Sequence, residues 1–124
     1  MTDPISRWDE LSPYTPVAHT GTTNHRLVDA SQTEGRLSLV HGRLEPGGAA
    51  ERHAHRRSAQ VTHILSGHCS IDLDGRADRL GPGDTVYIAP EVWHEFIVDG
   101  DRPVVLVNVY QPPLEADDIL THDA

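Results

Sequence analysis

The chain has 124 residues, which suffices for one compact domain and is short for two. Its 19 acidic and 10 basic residues give a formal net charge of −9, which disfavours nucleic acid and anionic membranes as partners because both attract basic surfaces. The single cysteine, Cys69, excludes an internal disulfide and favours a cytoplasmic location, and we find neither a signal-peptide pattern nor an apolar run of about 18 residues.

Residues 1–35 are expected to form an N-terminal arm and an edge strand. Three prolines and many polar residues fall within residues 1–20, and no sustained period there indicates a helix. We therefore predict that the barrel itself comprises residues 36–111.

The barrel region has the pattern of a series of short strands. In "GRLSLVHGRL", Leu37 and Leu39 alternate with polar neighbours, which is typical of a half-buried strand. The next segment, "EPGGAAE", interrupts this pattern with a proline and paired glycines. Five further strands are predicted, namely "QVTHIL", "HCSIDLD", "TVYIA", "HEFIV" and "PVVLVNVY".

Turn signals separate these strands. "SG" at 66–67, "LGPGD" at 80–84 and "DGD" at 99–101 contain glycine, and "DGR" at 74–76 is a strong hairpin signal because glycine accepts a positive φ. No segment of ten or more residues has a convincing apolar period of 3.6, so the pattern indicates a β-sandwich or barrel. The acidic, proline-led tail, residues 112–124, is expected to form at most a short helix.

The segment "HAHRRSAQ", residues 53–60, contains a candidate metal site. His53 and His55 are two residues apart, so on a strand their side chains share a face. Gln60 begins the next strand and His94 a later one, and in a small barrel these positions can converge. Three imidazoles and an amide oxygen suit zinc, iron, nickel, manganese or copper. Four protein ligands on an octahedral ion leave two positions for water or substrate, which is typical of a catalytic site.

Two motifs in the sequence resemble those of the cupin superfamily. "GGAAERHAHRRSAQVTHILSG" is similar to the first cupin motif, and "GDTVYIAPEVWH" is similar to the second. The matching positions are Gly47, His53, His55, Gln60 and Gly67 in the first motif and Gly83 and His94 in the second. The resemblance covers about residues 36–110. It implies a single-domain, all-β jelly-roll barrel of cupin type that binds one divalent metal ion per chain.

Three features depart from the family's pattern. Gln60 replaces the usual glutamate, Pro90 falls one position later than the family's proline with Glu91 in place of a common glycine, and Val98 replaces an occasional asparagine. The last two features are expected to alter only the loop that presents His94. The first alters the chemistry.

Gln60 bears on the type of reaction. An amide leaves the charge of a divalent ion uncompensated, which strengthens the polarisation of a substrate carbonyl. It cannot accept a proton, whereas a general-base role is proposed for the glutamate of some cupin dioxygenases. Three histidines and a glutamine at this spacing are similar to those of cupins that act on 4,5-unsaturated uronates, and single-domain cupins also include aromatic polyketide cyclases.

We therefore expect a metal-dependent enzyme that applies Lewis-acid chemistry to a small carbonyl-containing molecule by enolisation, tautomerisation, ring opening or cyclisation. An iron-dependent dioxygenase with the same four ligands is a second interpretation, and a non-catalytic barrel that binds or senses a ligand is a third. We also expect a homodimer, since exposed sheet edges are commonly protected by a partner chain.

Four residues near the motifs are weaker candidates. Tyr87 and His68 are candidates for proton transfer, although a strand tyrosine more often packs. Trp93 and Phe96 offer aromatic surface for a substrate pocket, and Phe96 shares the inward face with His94 if the strand is regular. Ordinary barrel filling is the alternative explanation for these aromatic side chains.

The remaining histidines have simpler explanations. If Gln60 faces inward, His63 points outward. His41 lies on the strand before the first motif and, with His68, is retained as a candidate for an additional ligand or base. Three other histidines are expected to be solvated, namely His19, His25 and His122.

Overall fold

The fold, seen in a computed structural model that describes residues 2–121, is a nearly closed jelly-roll β-barrel, as predicted. Its strands are β1 (His19–Val28), β2 (Ser38–His55), β3 (Ala59–Ser66), β4 (His68–Leu73), β5 (Arg76–Leu80), β6 (Thr85–Ile88), β7 (His94–Asp99), β8 (Val104–Gln111) and β9 (Ile119–Leu120). Its helices are α1 (Ala30–Thr33) and two 3₁₀ helices, Trp8–Glu10 and Ala116–Asp118. Within residues 2–121, no helix is long and apolar enough to cross a membrane.

The long strand β2 connects the two faces of the barrel. The strands follow one another in the order β5-β4-β7-β2-β8-β3-β6, with β1 and β9 also paired to β2. The first part of β2 pairs with β8 from Ser38 to Leu44, and the later part pairs with β7 from Ala49 to His53. The segment "EPGG" therefore bends a continuous strand instead of ending it, and Gly47 accommodates the bend with a φ of 82°.

The interior of the barrel has an apolar half and a polar half. The apolar half is a cluster of ten buried residues, namely Leu44, Ala50, Ile64, Cys69, Ile71, Ile88, Phe96, Val98, Val104 and Leu106. Burial raises the pKa of the Cys69 thiol to about 11, so this thiol stays protonated and unreactive. The polar half holds the buried side chains Thr22, Asn24, His53, His55, Gln60, Thr62, His94 and Asn108. The polar half includes the four predicted metal ligands, His53, His55, Gln60 and His94.

The inward face of early β2 differs from the expectation based on Leu37 and Leu39. Ser38 and Val40 are buried, whereas Leu37 is 39% exposed and Leu39 is half-buried. The leucines therefore belong to the outer surface of the sheet, where Leu39 pairs with Val109 of β8. Alternation correctly predicts a strand here, but the inward positions are Ser38, Val40, Gly42 and Leu44.

The two chain ends pack against different parts of the sheet. In the arm, the 3₁₀ helix at Trp8–Glu10 lies against the outside of the β1–β2 pair, and Tyr14 pairs with Asn24. In the tail, β9 pairs with the end of β2 next to the histidine motif. The tail is thus anchored by a strand as well as by the predicted short helix. His122 lies outside the described residues.

Candidate metal centre and its cavity

His53, His55 and His94 converge at the polar end of the barrel. His53 pairs across the strands with His94, and a register shift in β2 between Ala50 and His53 turns the histidine motif towards the interior. The three rings are 5% exposed or less, and one nitrogen from each lies within 4.8 Å of the others. This spacing allows one metal ion to contact all three imidazoles.

Backbone carbonyls determine which imidazole nitrogen is free to bind a metal. His53 Nδ1 lies 2.6 Å from the Glu51 carbonyl oxygen, and His94 Nδ1 lies 2.9 Å from the Val92 carbonyl oxygen. A carbonyl oxygen only accepts, so Nδ1 of both rings carries the proton and donates it. Nε2 of both rings therefore keeps its lone pair, as metal ligation requires.

The pKa values of the three imidazoles favour the neutral form. Burial lowers the pKa of His94 to about 3, and the neighbouring His53 and His55 contribute by repulsion. Burial also lowers the pKa of His55 to about 4 and lowers that of His53, where the bond to the Glu51 carbonyl partly opposes the effect. Neutral imidazole is the ligating form, so protons compete weakly for these nitrogens near neutral pH.

Gln60 presents its amide oxygen to the cavity because a network of inward side chains holds its nitrogen. Thr62 Oγ1 donates to Asn108 Oδ1, so the Thr62 oxygen remains free to accept a bond from Gln60 Nε2 at 2.8 Å. Gln60 Nε2 also lies 3.3 Å from Asn108 Oδ1. Gln60 Oε1 is buried and has no hydrogen-bond partner among residues 2–121.

The donor set fits a divalent metal ion. Gln60 Oε1 and His94 Nε2 are both buried without a hydrogen-bond partner in the described part of the chain, a costly arrangement for polar atoms unless an ion or another ligand satisfies them. Both atoms face a small cavity that His53 also lines. Three imidazole nitrogens and one amide oxygen are the donors that zinc, iron, nickel, manganese and copper accept.

Comparison with known proteins shows the family. The model of the cupin domain matches residues 40–110. The chain belongs to the cupin family. Among curated cupins it is 29% identical over 69 residues to gentisate 1,2-dioxygenase 1 of Aquipseudomonas alcaligenes, covering 56% of the chain and 20% of that enzyme. It is 32% identical over 65 residues to acireductone dioxygenase of Bacillus pumilus (strain SAFR-032), covering 48% of the chain and 37% of that enzyme.

Solved structures support the same fold. The polyketide cyclase RemF from Streptomyces resistomycificus superposes with a TM-score of 0.80 at 20% identity, over 100% of this chain and 87% of that one. At this identity the likeness concerns the fold alone. The cupin described here spans between about a fifth and about two fifths of the length of the two dioxygenases, so the activity of neither transfers with the match.

A larger cavity opens from the three-histidine group of this cupin towards the chain ends. It has a volume of about 300 Å³, and His53 and His55 form part of its wall. The arm contributes residues 14–17 on one side, and the tail contributes residues 113–116 and Ile119 on the other. This volume is at the lower end of the range for small-molecule sites.

His19 is part of the site, although the sequence predicts a solvated side chain. Its ring centroid lies 5.7 Å from that of His53, and it lines both cavities. A register shift between Thr20 and Thr22 places His19 on the same inward face as Thr22, which simple alternation does not anticipate. His19 Nδ1 lies 2.8 Å from the Val17 carbonyl oxygen, so Nε2 is the free nitrogen. Burial lowers its pKa to about 4.

Tyr110 is a second site residue that sequence reasoning missed. Its ring is buried, lies 5.8 Å from that of His55 and lines both cavities. Burial raises its pKa well above the usual value, although a hydrogen bond with Asn108 partly opposes this effect, so the hydroxyl stays protonated. A signal was available in "VVLVNVY", because Asn108 interrupts an otherwise apolar inward face that ends at Tyr110.

The four weaker candidates occupy different places. Phe96 is buried and lines the small cavity, where its ring lies 6.3 Å from His94. Trp93 is half-buried, lines neither of the two cavities and packs its ring against the Arg52 guanidinium at 4.9 Å. Tyr87 is 63% exposed on the outer face of β6, and His68 is exposed beside Asp99. Strand alternation thus gives Tyr87 and His68 no place beside the three-histidine group.

Three other histidines face outward. His41 packs against Trp8 and His25 on the outside of the β1–β2 pair and does not approach the cavity. His63, which is expected to point outward, has its Nδ1 2.7 Å from the Thr85 hydroxyl.

Proposed function

We propose that this cupin is a metal-dependent enzyme that applies Lewis-acid chemistry to a small carbonyl-containing molecule. The ligands are His53, His55, Gln60 and His94. When bound, a divalent ion supplies positive charge that polarises a carbonyl or enolate oxygen. The reaction class is enolisation, tautomerisation, ring opening or cyclisation.

The orientation of Gln60 is the observation that carries this proposal. Its amide nitrogen is held by Thr62 and Asn108, so its oxygen is the only group that it can offer to the cavity. An amide neither compensates the ion's charge nor takes up a proton. The site therefore favours charge stabilisation at the metal, and proton transfer falls to other residues.

His19 and Tyr110 are the residues that we assign to proton transfer. His19 Nε2 has a free lone pair because Nδ1 donates to Val17, so this nitrogen accepts a proton from substrate. The Tyr110 hydroxyl remains protonated and donates a hydrogen bond or a proton to a developing oxyanion. Asn108 Oδ1 already accepts from Gln60 and Thr62, which leaves its amide nitrogen to donate to the Tyr110 oxygen and hold that hydroxyl in place.

An iron-dependent dioxygenase is the second candidate, and the curated relatives favour it. Both relatives compared above are named as dioxygenases. The same four ligands would hold the iron, and the difference between the candidates lies in whether turnover consumes oxygen.

Metal analysis and two activity assays test the proposal. Untagged protein purified without chelator is analysed for metals, then incubated with a panel of 2-oxo acids and β-diketones. We expect near-stoichiometric divalent metal and metal-dependent exchange of substrate C–H protons in D₂O by NMR, without oxygen uptake at an electrode.

Gln60→Glu separates the two candidates. Lewis-acid chemistry predicts slower exchange in this variant, because the carboxylate partly neutralises the ion. Oxygen uptake that is retained or increased in Gln60→Glu would instead support the dioxygenase. A wild-type protein that holds no metal, even after reconstitution, would overturn both candidates.

A further inference from the structure

We propose that the 300 Å³ cavity binds a small organic acid whose carboxylate lies against Arg26 and whose apolar body lies against the tail. Arg26 belongs to β1 and lines this cavity together with His53 and His55. The inference deepens the proposed function by naming a substrate class for the same site. It makes the metal centre and Arg26 two separate anchors within one cavity.

The guanidinium of Arg26 is held in position but not neutralised. Its Cζ lies 3.9 Å from the centroid of the Tyr14 ring, a cation–π contact that holds the group against this ring. Among residues 2–121, no carboxylate forms an ion pair with Arg26, whereas the guanidiniums of Arg43, Arg57, Arg76 and Arg79 each have one. The N–H donors of Arg26 therefore have no carboxylate partner among residues 2–121 and are available to a ligand.

Two carboxylates near Arg26 are engaged elsewhere. The Asp29 side chain caps α1 by accepting hydrogen bonds from Ser31 and Gln32. These bonds lower its pKa, and the charge of Arg26 adds a smaller contribution. Glu115 lines the cavity from the tail, where its side chain is 75% exposed and lies 3.7 Å from Arg57. In a chain of net charge −9, an unpaired cation in a cavity is thus available to an anion.

The remaining wall favours a carboxylic acid with an apolar body. Arginine binds carboxylates through two parallel hydrogen bonds, which gives orientation as well as affinity. The apolar walls are Pro16, Val17, Val40, Pro113, Leu114 and Ile119. A planar acid that fills this space places its far end towards the imidazoles.

Benzoate and benzamide are a matched pair of probes for this inference, since they differ in charge and little in shape. Binding is measured by titration calorimetry and ligand-observed NMR, on protein as purified and on metal-depleted protein. We expect benzoate to bind more tightly than benzamide to the wild type. Arg26→Gln should weaken benzoate binding by about 10- to 100-fold and leave benzamide nearly unchanged, because only the anion loses a charged partner.

Two further variants test whether Arg26→Gln acts through the lost charge or through a general loss of structure. Arg26→Lys keeps the charge and should retain a preference for benzoate, weakened by the loss of the two-point contact. Arg76→Gln removes a cation from the distant strand β5 and should change neither probe. Benzamide binding in Arg26→Gln reports directly that the cavity is intact.

The outcomes are separable from those of the proposed function. Equal binding of the two probes to the wild type, no binding of either, or benzoate binding unaffected by Arg26→Gln would overturn the inference, even if the protein holds metal and exchanges substrate protons. Arg26-dependent benzoate binding by a protein that takes up no metal would support the inference and overturn the proposed enzyme.

Discussion

Two histidine clusters share strand β2 but lie on its opposite faces, and they differ in what their rings can do. The inner cluster, His53, His55 and His94, has ring centroids 4.3 to 5.0 Å apart and brings three nitrogens to one point. The outer cluster, His25 and His41, has ring centroids 6.4 Å apart and packs under Trp8. Within residues 2–121, no third histidine, cysteine or carboxylate joins the outer pair to complete a ligand set.

An unpaired imidazole nitrogen is therefore not sufficient to mark a metal site. Nδ1 of His25 and of His41 is buried without a hydrogen-bond partner among the described residues, just as Nε2 of His94 is. What distinguishes the inner cluster is convergence, together with the Gln60 oxygen, and convergence comes from the register of the strands. The comparison predicts that metal binding requires the inner cluster and not the outer one.

The largest expected effect is the loss of metal on truncation of an inner ligand. His53→Ala or His94→Ala should each remove nearly all bound metal and turnover, because the remaining ligands leave the ion too weakly held. His41→Ala and His63→Ala are the matched controls from outward positions and should retain wild-type metal. Mass spectrometry for metals with circular dichroism for the fold measures both effects. Metal retained in both inner variants would show that the inner cluster is not the metal site.

A smaller effect is expected from the residue that orients Gln60. Thr62→Val keeps the shape of the side chain and removes the acceptor for Gln60 Nε2, so the amide is free to turn its oxygen away from the ion. Loss of such an orienting partner typically lowers metal affinity by about 10- to 100-fold. Competition with a chromogenic chelator measures the affinity.

Thr85→Val is the matched control for that variant. Thr85 is exposed on β6, and its hydroxyl is the partner of the outward His63. The same change of side chain there should leave metal affinity unchanged. Equal affinities in Thr62→Val and the wild type would show that the Gln60 oxygen does not contribute to binding.

Much of the fold and of the ligand set is predictable from the sequence. Alternation and glycine turns predict the strands, and the spacing of two motifs predicts which histidines converge. His55 and Gln60 lie on different strands with only residues 56–59 between them, so the short connection limits how far apart the two residues can lie. The family model and the three-histidine group agree with this reading.

His19 and Arg26 show why the rest was not predictable. The register shift after Thr20 reverses the facing of His19, and a strand period of two carries no information about where such a shift occurs. Gly21, with a φ of 58°, lies at the shift, but a lone glycine is consistent with many local structures. Arg26 joins the site only because the arm and the tail close a cavity around it, and those contacts are distant in sequence.

The tail lies beside the inner cluster and the arm covers the outer one, and the two segments are expected to differ in how much they stabilise the fold. Asp118 anchors the tail beside the inner cluster: its carboxylate is 1% exposed and accepts from the backbone nitrogens of Arg57 at 2.6 Å and Ser58 at 3.2 Å. Asp118→Asn should lower the free energy of unfolding by about 1–3 kcal/mol, since the amide places hydrogens against one of these donors. Urea unfolding at neutral pH measures the loss.

The pH dependence of the Asp118 anchor has a definite sign. Burial raises the pKa of Asp118, but hydrogen bonds from Ser58 and Arg57 and the charge of Arg57 outweigh that effect, so its pKa lies below the ordinary value of 3.8. Its stabilisation is complete above pH 3.8 and is lost as the pH falls through the lower, folded-state pKa. The difference in stability between wild type and Asp118→Asn should therefore shrink in acid, and a difference that grows in acid would contradict this assignment.

The smallest effect is expected from the cover of the outer cluster. Trp8 is 53% exposed, and its ring centroid lies 4.1 Å from that of His25 and 5.0 Å from that of His41. Trp8→Ala should lower the free energy of unfolding by about 1 kcal/mol, the usual worth of such ring contacts, and leave bound metal unchanged. Urea unfolding and metal analysis on the same preparation give both quantities. A fall in bound metal would mean that the arm helps to hold the inner cluster, since Tyr14 and Val17 of the same arm line its cavity.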